Sequence, residues 1–138
     1  MSTLAVGTIK SISSAAPVFQ NTSGTEIGQL AKAWVNFNGG GTLTSSDQTG
    51  VRDSFNISSV EDSATGVYTV NINNDMSNTN YVVVVTVEEG TSNDQTSSGG
   101  SLFQNSTRTV GSFKIRTGDT EDNEKKDFDG VNAVVFGD

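Results

Sequence analysis

Carboxylates and amides are the groups in this chain with the means to do chemistry. There are 16 Asp and Glu, but no histidine and no cysteine. Without histidine there is no imidazole metal ligand and no Ser-His-Asp triad. Without cysteine there is no thiolate nucleophile and no disulfide framework. What remains is oxygen chemistry, either holding a hard cation or working on a glycosidic bond with two carboxyl groups. The densest acidic run, Asp119-Thr120-Glu121-Asp122-Asn123, fails as an EF-hand. That loop needs glycine at its sixth position and glutamate at its twelfth, where this chain has Glu124 and Gly130. The run reads as a solvated turn, as do Glu61-Asp62 and Glu88-Glu89. Glycosidase carboxylates stand ~5–10 Å apart across a sugar, with one acid's pKa raised, and nothing in the sequence marks such an acid. We expect no catalytic residues, no metal site, no cofactor and no enzymatic activity.

A second kind of chemistry is hydrogen bonding by neutral groups. Asn93, Asp94, Gln95, Thr96 and Ser97 form a dense set of donors and acceptors suited to sugar hydroxyls. They lie in EEGTSNDQTSSGGSLFQN, residues 88–105, which reads as a long polar connection interrupted by Leu102-Phe103. A connection of this length in a compact domain is usually functional or disordered. Asn21-Thr22-Ser23, Asn56-Ile57-Ser58 and Asn105-Ser106-Thr107 match the glycosylation pattern, as a chain rich in Asn, Ser and Thr does by chance.

Positioning these groups falls to β-strands. Val35 and Phe37 alternate with Trp34 and Asn36, and Tyr68, Val70 and Ile72 alternate with polar neighbours. Val51, Asp53, Phe55 and Ile57 alternate with Arg52, Ser54 and Asn56; Thr109–Thr117 and Phe128–Phe136 complete the pattern. Asn38-Gly39-Gly40-Gly41 and residues 60–66 read as turns. Some seven short strands without a helical period indicate an all-β chain, an antiparallel β-sandwich or barrel. Its core is expected from Val35, Phe37, Phe55, Tyr68, Val70, Ile72, Val83, Val85, Phe113, Ile115, Val134 and Phe136. Tyr81–Val87 is nearly continuous in apolar residues, as in a strand covered on both faces. Trp34, Val82 and Val84 point away from that core and are candidates for a subunit interface, Trp34 alternatively for a sugar platform. Arg52 and Arg116 sit between apolar positions and read as surface arginines; were they near a subunit axis, Asp53 and Asp127 would be candidate acidic partners.

Composition bounds the rest. The chain has 138 residues and a net charge of −8. That charge argues against nucleic-acid binding, which needs a basic stripe. No apolar run approaches the ~20 residues of a membrane span, and no secretory signal is expected at the N-terminus. Leu, Ile, Val and Phe make up roughly a quarter of the chain, above the ~20% that marks disorder. Residues 1–30 differ in character from the remainder of the chain, with scattered Leu4, Val6, Ile9 and Ile12, the single Pro17, and a turn at 21–25. They read either as a disordered or extended tail or as an arm ordered against a partner or sibling subunits, ahead of a β-domain over 31–138.

Several segments fall in an order that resembles the C-terminal β-domain of bacteriophage tail fibres. They are Ala33-Trp34-Val35-Asn36-Phe37-Asn38-Gly39, then Arg52-Asp53-Ser54-Phe55-Asn56-Ile57-Ser58-Ser59-Val60. Gly66-Val67-Tyr68-Thr69-Val70-Asn71-Ile72, the apolar strand Tyr81-Val82-Val83-Val84-Val85 and a closing Ala133-Val134-Val135-Phe136-Gly137 come after them. The resemblance covers 31–138 and departs in two places. Asn73–Asn80 lacks a proline after Met76, and the polar stretch 88–108 has no counterpart. It implies a structural virion protein, made in the host cytoplasm, forming a homotrimer. Its arm would dock to other tail proteins, its loops 88–105 and 118–126 would contact a host surface glycan, and it would not insert in a membrane. A capsid decoration or head-fibre protein is the main alternative. A carbohydrate-binding or hydrolytic module stands further off, for want of a signal peptide and of catalytic marks.

Overall fold

The computed structural model describes residues 7–9, 19–88, 100–103, 108–119 and 124–137. The described residues contain strands and turns and no helix. The chain divides into two compact units, Met1–Leu30 and Ala31–Asp138.

In the first unit, β1 (Phe19–Gln20) and β2 (Glu26–Gly28) form an antiparallel hairpin. Asn21 organises its turn, its side-chain oxygen accepting from the amides of Ser23 and Thr25, both at 2.9 Å. Phe19, Ile27 and Leu30 are exposed. A two-stranded ribbon has no second layer on which to bury such residues.

The second unit holds two four-stranded antiparallel sheets. One runs in the order β4 (Val51–Phe55), β3 (Ala33–Phe37), β10 (Gly130–Phe136), β7 (Val82–Glu88). The other runs β5 (Ile57–Ala64), β6 (Val67–Ile72), β9 (Ser112–Gly118), β8 (Gly100–Phe103). Their inward residues share one core in a sandwich-like layout. Ala33, Val35, Phe37, Val131, Ala133 and Val135 come from the first sheet, and Val60, Tyr68, Val70, Ile72, Phe113 and Ile115 from the second. Val83, Val85 and Val87 pack against it half-buried. Phe37 meets Tyr68 edge-on, ring centroids 4.9 Å apart.

The chain passes from one sheet to the other at Asn56, whose φ of 57° lies in the left-handed region. Asparagine tolerates that conformation because its short amide bonds locally. Here the Asn56 amide nitrogen donates to the carbonyls of Lys32 (2.9 Å) and Asn74 (3.2 Å), and its oxygen accepts from the Asn74 backbone amide (2.8 Å). The edge of β5 is covered by the preceding loop. Gln48 pairs with the Val60 backbone through both ends of its amide, at 2.7 and 3.0 Å, and the Asp62 amide donates to the Leu43 carbonyl (2.9 Å).

Several expectations need correction. Phe55 and Phe136 are exposed and Val134 is half-buried, so none belongs to the core. A register shift between Asn36 and Phe37 accommodates an extra residue at Arg52, so Val51 turns inward while Phe55 turns out. In β10 the inward positions are Val131, Ala133 and Val135. Residues 60–64 belong to β5, leaving only Thr65-Gly66 as the turn. Within the polar stretch after β7, Gly100–Phe103 is a strand paired with β9 rather than loop. Residues 81–87 do not bury both faces, since burial alternates along β7.

Candidate functional site

The two sheets present different outward faces. On the second sheet, Ser59, Glu61, Thr69, Asn71, Ser112, Lys114 and Arg116 point out between the buried positions. Several bond to one another: the Asn71 amide nitrogen donates to Ser59 Oγ (2.8 Å) and Glu61 Oε1 (3.0 Å). This face is a carpet of neutral and charged donors and acceptors.

On the first sheet, register alignment makes an apolar row. Phe55 pairs with Trp34, Trp34 with Val134, and Val134 with Val84. One outward step further on, Phe136 pairs with Val82. Exposures are 54% for Phe55, 57% for Val82, 50% for Val84 and 37% for Phe136, with Trp34 and Val134 half-buried. Thus Trp34, Val82 and Val84 share one outward face. Phe55, Val134 and Phe136 join them, which strand alternation alone did not reveal.

The other end of that face is polar. Asn36 donates to Asn132 Oδ1 at 2.6 Å. Arg52 extends over it, donating to the Asp129 carbonyl (2.6 Å) and lying 3.9 Å from Glu88. The acid beside Arg52 is therefore Glu88 and not Asp53. This surface pair is worth at most about 1 kcal/mol.

Asp127 is committed elsewhere. Its Oδ1 accepts from Tyr68 Oη (2.7 Å) and from the Gly66 amide (2.6 Å). Burial first, and then the hydrogen bond to Asp127, push the Tyr68 phenol far above its ordinary value of 10.0. Burial likewise raises Tyr81, with the Arg108 guanidinium opposing it, 5.0 Å from the ring centroid. Neither tyrosine is poised to exchange a proton near neutrality; both serve as fixed donors, Tyr81 to the carbonyls of Thr109 (2.8 Å) and Ser112 (2.9 Å). These are the chain's only two tyrosines. Above about pH 10 the unfolded chain ionises its phenols while the folded chain keeps them protonated. Stability is therefore fully present below that pH and declines as pH rises beyond it. The denaturation midpoint should fall between about pH 9 and 11, and Tyr68→Phe should flatten that fall.

Asn93, Asp94, Gln95, Thr96 and Ser97 lie outside the described residues, as do 120–123 of the acidic loop. The base of that loop is described. The Asp119 amide donates to the Glu124 carbonyl at 2.7 Å, and Gly118 bridges to Lys125. Among the described residues no cluster of three or more acidic side chains could hold a metal ion. No protein-family model, no curated protein and no solved structure matches the chain.

Proposed function

We propose that the chain is a bacteriophage tail fibre, a non-enzymatic structural protein of the virion tail. In this reading it forms a homotrimeric β-sandwich that contacts a host surface glycan. Residues 1–30 are an extended arm that docks to other tail proteins or intertwines with sibling arms. The observation that carries the reading is the order of the tail-fibre-like segments and the places they occupy. The Ala33–Gly39 segment supplies β3 and its turn, Arg52–Val60 the corner at Asn56, Gly66–Asn71 the turn into β6, and Ala133–Gly137 the closing strand. The exposed Phe19 and Ile27 of the hairpin in the first unit support a docking role for the arm. Glycan contact is supported by the polar character of residues 93–97 and of the loops flanking the sheets.

Immunogold labelling of phage particles tests the placement. Label at the tail tip is expected; label over the head would make this a decoration or head-fibre protein. Residues 91–99 carry the proposed receptor contact. Replacing them with a short Gly-Ser link should leave the fold intact and weaken binding to host cells about tenfold, the effect of ~1.4 kcal/mol in lost hydrogen bonds. Unchanged adsorption would remove this segment from the receptor contact.

A further inference from the structure

We infer that the outer face of the β4-β3-β10-β7 sheet is where copies of this chain pack together, about a rotation axis parallel to its strands. The face rests on register and exposure; only the choice of three copies rests on the tail-fibre reading.

Rows of side chains run across this sheet at fixed heights. The apolar rows, Phe55-Trp34-Val134-Val84 and Phe136-Val82, occupy one end. The row Asp53-Asn36-Asn132-Thr86, with Arg52 and Glu88 beyond it, occupies the other. Rotation about an axis parallel to the strands leaves every residue at its own height. Apolar rows then meet apolar rows, and polar rows meet polar rows. In a threefold arrangement the β4 edge of one copy comes beside the β7 edge of the next, which brings Phe55 against Val82 and Val84. An axis lying across the strands at mid-sheet would set the aromatic rows against Asn36, Asn132 and Asp53, and one at the height of the apolar rows would bring only that end into contact. Only the strand-parallel axis joins both halves of the face, like against like.

Area shows how much of the face a copy must cover. The six apolar residues present on the order of 400 Å², the size of the largest apolar patch on a typical monomer. A standard interface takes ~800 Å² per partner, about twice that. The polar half of the same face must supply the remainder, and the strand-parallel axis brings it into contact. A face whose Asn36 and Asn132 amides already bond to one another suits a second copy better than a sugar, which needs open donors and acceptors. Among the described side chains of the opposite sheet, on β5, β6 and β9, the outward ones are almost all polar.

The test uses the full chain and the substitutions Val84→Glu and Phe55→Ser, both at exposed positions. Thr69→Glu on the opposite sheet is the control. At low-micromolar concentration the wild type should sediment as a multiple of the single-chain mass, and so should Thr69→Glu. Val84→Glu should sediment as a single chain with an unchanged far-UV spectrum; Phe55→Ser serves the same purpose should Val84→Glu not fold. Trp34 is the only tryptophan, so its emission reports the face directly, shifting to the red and becoming open to quencher when the copies separate. A dimer that Val84→Glu dissociates would keep the face and remove the threefold fibre. A monomeric wild type, or an oligomer indifferent to both substitutions, would overturn the inference. So would sugar-induced protection of Trp34 in a monomer.

Discussion

Phe37→Ala should destabilise the β-domain by about 3–5 kcal/mol. Phe37 is fully buried at the centre of the core, on a strand hydrogen-bonded on both sides. Truncation leaves a cavity lined by Val51, Val131 and Tyr68 that a β-sandwich cannot close by shifting one strand. It also removes an edge-on aromatic contact worth about 0.5–1.5 kcal/mol beyond area. The effect should propagate, because the Phe37 ring helps fix Tyr68, and Tyr68 carries the hydrogen bond to Asp127. Domains of this size are stable by about 5–15 kcal/mol, so the variant should be near unfolding at about 37 °C. Urea denaturation measures the loss, and Phe37→Leu, which retains most of the volume, should lose much less. Equal losses for Leu and Ala would mean that ring shape rather than filled volume holds this site.

Legibility in the sequence depended on how different the two faces of each strand are. In β3, β6 and β9 the faces contrast sharply, and alternation identifies Val35, Phe37, Tyr68, Val70, Ile72, Phe113 and Ile115 as inward. In β10 both faces are apolar near the C-terminus. Size then favours Phe136 and Val134 as core, whereas Val131, Ala133 and Val135 are buried. Alternation over Val51–Ile57 fails because it crosses an extra residue at Arg52 and then the corner at Asn56. The Glu61-Asp62-Ser63 run has the composition of a turn, yet it continues an edge strand held by β6 on one side and by Leu43 and Gln48 on the other. Of the outward face, Trp34, Val82 and Val84 were legible from alternation. Phe55, Val134 and Phe136 required the register.

Gly66→Ala should rival the loss of Phe37, at about 3 kcal/mol or more, though it removes no apolar contact. Gly66 has φ +61°, a conformation that a Cβ makes costly by ~1–2 kcal/mol. Lack of space costs more. A methyl group there would collide with the Thr117 carbonyl oxygen and lie 2.9 Å from the Lys126 amide nitrogen and 3.0 Å from its carbonyl oxygen. All three are backbone atoms, so no side chain can swing aside. They also belong to one hydrogen-bonded knot. The Thr117 amide donates to the Gly66 carbonyl (2.8 Å), Thr117 Oγ1 to the Lys126 carbonyl (2.6 Å), and the Gly66 amide to Asp127 (2.6 Å). Together they tie the β5–β6 turn to the end of β9 and to the chain entering β10. Moving any strand of the knot to admit a methyl group lengthens the others and loosens Asp127 from Tyr68. The variant should therefore show a lower urea midpoint and faster amide exchange at Thr117 and Lys126. Asp127→Asn, which keeps an acceptor oxygen and adds no bulk, should cost only about 1 kcal/mol. If Asp127→Asn proved as damaging as Gly66→Ala, the charge on Asp127 would hold the knot, and close backbone packing would not.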